Sequence, residues 1–313
     1  MSIEKSTSVP SNQNEITLKE ILDAFWEKKW IIIIVTSIFA ISSVFVALNI
    51  PNQYKSTTIL APSSNSGVSG LSKLAGQFGG LASLAGINLS SGGSDDKSLI
   101  AIELIKTWGF LEKFIKEQEI QIELFAVEGW SLHNDKLLVN ADLYDESQKK
   151  WVREPDYGKG IGSEPTSWEL YKELKDRIEV SQDKNTGFIK LSLEYYSPKL
   201  AKAWLDKLVL SLNSHIQQKD REDALKSISY LQSQIKQTNI NEMQAVFYQL
   251  IEEQTKTLML TEVSDEYALK TISEPKVAEV RSTPNRALIC IVSTIVGAFF
   301  SSLIVLIRTY IIK

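Results

Sequence analysis

His133 and His215 are the two histidines of this 313-residue chain, and Cys290 is its single cysteine. Those residue types ligate metals or act as nucleophile and base, and each needs partners at set spacings. Neither histidine has a His, Cys or carboxylate at metal-ligand spacing. His133 falls in a polar stretch and His215 in a helical pattern, so both read as surface residues. There is no serine nucleophile elbow and no phosphate-binding loop ending in lysine. Gly76-Gln77-Phe78-Gly79-Gly80 is rich in glycine but lacks the strand-to-helix setting of a nucleotide fingerprint. Acid pairs such as Asp95-Asp96 and Glu252-Glu253 are common on solvated faces, and nothing in their spacing favours a two-carboxylate glycosidase. The sequence therefore offers no catalytic residue, no metal site and no cofactor.

What the sequence does offer is two apolar runs. Ile31–Ile50 reads IIIIVTSIFAISSVFVALNI and Ala287–Ile307 reads ALICIVSTIVGAFFSSLIVLI, both uncharged. As helices each spans about 30 Å, the thickness of a hydrocarbon core. Their Leu, Ile, Val and Phe side chains favour insertion by about 4–8 kcal/mol per helix. Small residues four apart, Gly297 with Ser301, Ala298 with Ser302 and Ser43 with Ala47, suit close packing of membrane helices. The expected layout is a hairpin: a tail at 1–30, spans at 31–50 and 287–307, residues 51–286 between them, and a tail at 308–313.

Lys28, Lys29 and Trp30 abut the first span, and Arg308 and Lys313 follow the second. Basic flanks stay cytoplasmic, so both tails are expected inside and residues 51–286 on the far side. The chain carries 34 Lys and Arg against 38 Asp and Glu, net −4. No basic excess points to nucleic acid. The cysteine lies inside the second span, so residues 51–286 must fold without a disulfide.

Within the tail, Thr17-Leu18-Lys19-Glu20 is a capping-box pattern followed by Ile21, Leu22, Phe25 and Trp26 at helical spacing. This is either an amphipathic surface helix or an extension of the first span. Tyr54–Leu60 alternates as a strand. Residues 62–94 are rich in Gly and Ser, yet Leu71, Leu74, Phe78, Leu81, Leu84, Ile87 and Leu89 recur through them. They either line a surface or form a loop, and a plain linker would lack the apolar set. Ser98–Glu119 predicts one amphipathic helix, and Trp130–Glu169 reads as connecting structure. Arg177–Ser181 and Phe188–Tyr195 predict a hairpin across Asp183–Gly187. From Pro198 one apolar face continues to about residue 237, including Leu225, Ile228, Leu231 and Ile235. A helix of that length, about 60 Å, exceeds what a small domain covers. Thr238–Asn241 breaks it, Glu242–Leu260 predicts a second helix, and Tyr267–Val280 an extended return stiffened by Pro275, with Pro284 beyond it.

Four stretches resemble a known family, the Wzz-type chain-length determinants or polysaccharide co-polymerases of Gram-negative inner membranes. They are TLKEILDAFWEKKWIIII at 17–34, GLSKLAGQFGGLASLAGINL at 70–89, YYSPKLAKAWLDKLVLSLN at 195–213 and LTEVSDEYALKTISEPKVAEVRSTPNRALI at 260–289. Val277 and Val280 depart from a more proline-rich family pattern. The resemblance implies an α+β protein: a membrane hairpin of two transmembrane helices, a large periplasmic α/β base and a long projecting helix at about 198–237. It implies an inner-membrane homo-oligomer, ring-like, that is not an enzyme. The implied function is to set the modal length of O-antigen or a related glycan made by a Wzy-type polymerase from lipid-linked repeats. A component of capsule or exopolysaccharide export is the alternative; with only residues 308–313 after the second span, no fused kinase domain is expected. A membrane sensor fits less well, because the short tails leave no room for an output domain. On this reading Leu74, Phe78, Leu81 and Leu84 face the ring interior, Leu225, Ile228, Leu231 and Ile235 pack subunits together, and Gly297 and Ser301 pack the membrane helices.

Overall fold

The computed structural model describes residues 26–63, 94–156, 158 and 160–310. In chain order its elements are α1 (Lys29–Asn49), β1 (Tyr54–Pro62), α2 (Ser94–Leu104), α3 (Trp108–Gln118), α4 (Gln121–Phe125), β2 (Val127–Ser131), β3 (Lys136–Val139), β4 (Tyr144–Asp145), β5 (Lys150–Trp151), α5 (Ser167–Arg177), β6 (Ile178–Gln182), β7 (Ile189–Tyr195), α6 (Pro198–Gln237), α7 (Asn241–Val263), β8 (Leu269–Ser273) and α8 (Arg286–Tyr310). The chain divides into two compact units, residues 1–50 with 284–313, and residues 51–283.

The first unit contains α1 and α8, which among the described residues are the two helices long and apolar enough to cross a membrane. Only a small share of either span is covered by protein, 11% and 17%. A core helix of a soluble protein would be covered on most of its surface. These two helices pair along one seam and leave the rest of their apolar surface for lipid, as membrane helices do.

In the second unit a four-stranded antiparallel sheet has the order β6-β7-β1-β8. β1 lies between β7 and β8, with Tyr54 opposite Tyr195 and Leu60 opposite Ile189. Side chains alternate across the pleat. One face carries Leu60, Ile189, Leu191, Leu193 and Tyr195, all buried. The other carries Lys55, Thr57, Glu179 and Ser192; Lys55 bonds Glu179, and the Thr57 and Ser192 hydroxyls lie 3.0 Å apart. Ser56 and Thr58 sit on the buried face. Their hydroxyls donate to the carbonyls of Lys276 and Ser273 at 2.9 and 2.8 Å, so the chain leaving β8 is tied back to β1.

α6 covers the apolar face. Ser197 caps it, its side chain accepting the Leu200 N–H, and Pro198 takes the first turn, where no N–H is needed. Ala201, Trp204, Leu205, Leu208 and Leu212 are buried on its near half. The Trp204 ring meets that of Tyr195 at 4.4 Å. α3 and α4 add Phe114, Ile115 and Leu124 to the same core. α5 starts at a capping box: the Thr166 hydroxyl accepts the Glu169 N–H, and the Glu169 carboxylate accepts the Thr166 N–H.

Three sequence expectations are corrected. The helix expected at Ser98–Glu119 is two, because Thr107 is extended, at φ −79° and ψ 145°, and starts α3 as its N-cap. The Thr107 hydroxyl donates to the Leu104 carbonyl and closes the end of α2. The stretch read as connecting structure at Trp130–Glu169 holds two short hairpins, β2–β3 and β4–β5. The return strand is confined to Leu269–Ser273, since Pro275 has no N–H for a ladder. The β6–β7 hairpin and the long helix at 198–237 occur where the sequence places them, and Gly187 at φ +72° supplies the left-handed position of the hairpin turn.

Truncating a fully buried side chain under α6 leaves a cavity. Leu205→Ala is expected to cost about 2–5 kcal/mol, measured as the shift in denaturant midpoint of the full chain in detergent. A change below about 0.5 kcal/mol would contradict this packing.

Candidate functional site

One face of α6 changes character halfway along the helix. Up to Leu212 it is apolar; then Asn213, Gln217, Asp220 and Arg221 follow at helical spacing. Asn213 is buried. Its amide oxygen accepts the N–H groups of Ala268 and Leu269, both at 2.9 Å, and its amide nitrogen donates to the Leu269 carbonyl at 3.0 Å. Gln217 donates to the carbonyls of Thr261 and Ser264 at 2.7 and 3.1 Å, which closes the C-terminal end of α7. Arg221 pairs with Glu262 at 2.7 Å. Both partners of that pair are exposed, so it adds little.

Asp220 is the acceptor of a three-way contact. Its carboxylate receives the Lys97 ammonium and the Tyr267 hydroxyl, each at 2.7 Å, and Lys97 also donates to the Tyr267 oxygen at 2.8 Å. Tyr267 is buried. Burial, reinforced by the hydrogen bond to Asp220 and its charge, raises the phenol pKa above the ordinary tyrosine value. The tyrosine thus stays a neutral donor. Next to it, the Ala268 carbonyl accepts the Ser63 N–H at 3.0 Å. Residues 267 and 268 therefore hold both Ser63 and Lys97, the chain on either side of residues 64–93. Leu74, Phe78, Leu81 and Leu84 lie in that stretch, outside the described residues.

Beyond the ladder, α6 and α7 form a two-helix hairpin. Leu231 is covered within it at 9% exposure, whereas Leu225 is 44% exposed. Ile228 and Ile235 are half-buried. Tyr230, Tyr248, Met259 and Val263 also stand exposed. At the tip, the Gln244 amide donates to the Thr238 carbonyl at 2.7 Å and fixes the turn.

In the membrane pair, a methyl group placed at Gly297 would lie 2.7 Å from the Cβ of Phe39. Ser301 is fully buried, and its hydroxyl lies 3.5 Å from that of Thr36. Ser43 and Ala47 are the buried residues of α1.

His133 is exposed, as a surface residue. His215 is not: it is half-buried in a groove of about 290 Å³ between α3 and α6, its ring edge-on to Phe110 at 5.8 Å. Burial, then the charge of Lys113, pulls its pKa below the ordinary value. Among the described residues no three His, Cys, Asp or Glu side chains gather as a metal site. The Lys97–Asp220–Tyr267 contact escaped sequence reasoning because no local spacing joins positions so far apart.

This geometry defines a class: a two-span membrane protein whose α+β unit extends into a long helical hairpin. Residues 14–118 match the model of the Wzz family, chain length determinant protein. That segment carries α1, β1, α2 and α3. No curated protein matches the chain. Among solved structures, a full-length bacterial polysaccharide co-polymerase is similar at 13% identity and a TM-score of 0.38, covering 95% of this chain and 100% of its own. A fragment of WzzB, a polysaccharide co-polymerase from Salmonella Typhimurium, is similar at 11% identity and a TM-score of 0.33, covering 74% of this chain and 100% of its own.

Two expectations follow. Asn213→Ala strips two buried N–H groups of their acceptor and should cost about 3 kcal/mol in denaturant unfolding; a loss under about 0.5 kcal/mol would show that the clamp contributes little. Gly297→Ala forces α8 away from Phe39 and should weaken the helix pair by about 1–3 kcal/mol. A Thr36→Cys/Ser301→Cys pair in a Cys290→Ser background should then cross-link less when Gly297→Ala is added.

Proposed function

We propose that this chain is a non-enzymatic regulator of the modal length of a surface polysaccharide, O-antigen or a related glycan, made by a Wzy-type polymerase from lipid-linked repeats. The observation that carries the reading is the match of residues 14–118 to the chain length determinant family, on a chain whose spans bracket one large unit. Lys28, Lys29 and Arg308 flank the spans, which supports cytoplasmic termini and a periplasmic segment at 51–286 in a bacterial inner membrane. The domain plan expected from the sequence, with a cytoplasmic tail at 1–30 and another at 308–313, belongs to the same proposal.

The working form is a ring-like homo-oligomer. The α6–α7 hairpin presents apolar side chains, Leu225 among them, that its own subunit leaves uncovered. Packing against a second copy would cover them, whereas Leu231 already has a place inside the hairpin. Ile228 and Ile235, half-buried, stand between those cases. Leu74, Phe78, Leu81 and Leu84 are assigned to the ring interior, where the polymerase or the growing glycan would meet them.

The test is a gel of surface polysaccharide from a strain lacking the gene. Loss of the modal band with polymer still made is the expected result. Loss of all polymer would refute the reading and favour an export component. On complementation, Leu225→Asp should give a folded protein with a weaker oligomer or a shifted modal length. Leu231→Asp should instead destabilise the hairpin itself. Full assembly and a normal length distribution with Leu225→Asp would remove that residue from the subunit contact.

A further inference from the structure

We propose that the β2–β3 hairpin is a lipid anchor, with Leu132, Leu138 and Trp130 seated in the headgroup layer of the bilayer that α1 crosses. The inference goes beyond the function above and rests only on its reading of α1 as a membrane span.

Chain continuity is the first ground. Pro51 follows Ile50, at the end of the apolar run, and consecutive Cα atoms lie about 3.8 Å apart. Whatever packs on Pro51 is therefore within a few ångströms of the membrane exit. The β2–β3 hairpin does so: at Gly129 the Cβ position is 3.9 Å from the Cβ of Pro51 and 3.4 Å from the Cδ1 of Leu138. Leu138 and Pro51 thus flank one point. Trp130, in the same hairpin, meets the Tyr54 ring edge-on at 5.7 Å. Gln53 also bridges Thr283, shortly before α8 in the chain, the Gln53 N–H donating to the Thr283 carbonyl at 2.9 Å.

The composition of the hairpin is the second ground. Leu132, at its turn, is 77% exposed, and Leu138 is 53% exposed. Isolated exposed leucines need no explanation, but Leu132 at the turn and Leu138 opposite Gly129, on a hairpin that also carries Trp130 at a membrane exit, match an interfacial belt. The Trp130 indole N–H donates to Asp135 at 3.1 Å, which orients the ring with its polar edge satisfied. Asp135 also pairs with Lys199 at the start of α6, so the turn is braced against the long helix. Two leucines and part of an indole expose far less than the roughly 800 Å² per partner that a stable protein interface buries. A lipid surface needs no such area, because each apolar side chain partitions separately.

Spin labelling tests this directly. Cys290→Ser removes the only native cysteine. Labels at Leu132→Cys or Leu138→Cys would be read in nanodiscs of phosphatidylethanolamine and phosphatidylglycerol by power saturation with oxygen and a water-soluble nickel chelate. Both should favour oxygen over nickel at a depth of about 5–10 Å into the headgroup–acyl boundary. A label at Lys184→Cys, in the exposed β6–β7 turn at the opposite end of the sheet, supplies the water value. Nickel access at 132 and 138 equal to that at 184 overturns the anchor. Shielding from both reagents overturns it too, because it reports a protein contact. A label at Phe299→Cys in α8 reports the span itself. Lipid access there with water access at 132 defeats the anchor alone, whereas water access at 299 defeats the membrane reading as well. Adding Leu132→Asp should raise nickel access at 138 several-fold while the melting temperature stays unchanged.

Discussion

The second unit depends on how α6 changes partners along its length. Over its first turns it covers a β-sheet, where apolar burial supplies the stability. Past Leu212 the face holds fewer apolar residues, Ile216, Ala224 and Leu231, and polar partners must hold it as well. The polar ladder of Asn213, Gln217 and Asp220 occupies that junction. Asn213 satisfies two N–H groups and one carbonyl at the entry to β8. Leaving those groups unpaired would cost several times what a single exposed ion pair contributes. The ladder thus joins sheet, helical hairpin and return strand.

That junction also explains how a unit tethered at both ends closes on itself. β1 follows directly from the end of α1, and β8 runs beside β1 before the chain reaches α8. Ser56, Thr58 and Gln53 bond the outgoing segment along the way. An antiparallel pair is the simplest way to bring two chain ends to one edge, because its strands need no crossover. The far end of the unit is left free of this constraint, and α6 and α7 extend there as a two-helix hairpin. Its core is thin, which is why Leu231 is covered while Leu225 is not.

Periodicity and turn chemistry made much of this legible. The two apolar runs are uncharged and long, so the spans stand out from the sequence. Ser197-Pro198 followed by a face without Pro or Gly marks the long helix, and Asp183–Gly187 marks the β6–β7 turn. Four things were not legible. Thr107 breaks an apolar pattern that continues through it, because a local cap outweighs helical periodicity. The short β2–β3 and β4–β5 hairpins lie in a polar stretch, where strands of two to five residues leave too little alternation to detect. The Lys97–Asp220–Tyr267 contact joins three distant elements through side chains that look ordinary in sequence. His215 was misplaced for a related reason, since a polar residue in a helix reads as solvated until Phe110 is placed beside it.

Hydrogen exchange at the start of β8 tests the central claim most directly. The amides of Ala268 and Leu269 are bonded to one buried side chain on another element, so they can exchange only when α6 separates from the sheet. In the intact chain in nanodiscs, the account predicts that these two amides exchange as slowly as those of β1 and β7. Exchange at the rate of the exposed β6–β7 turn would contradict it, because the ladder would then not hold the return strand.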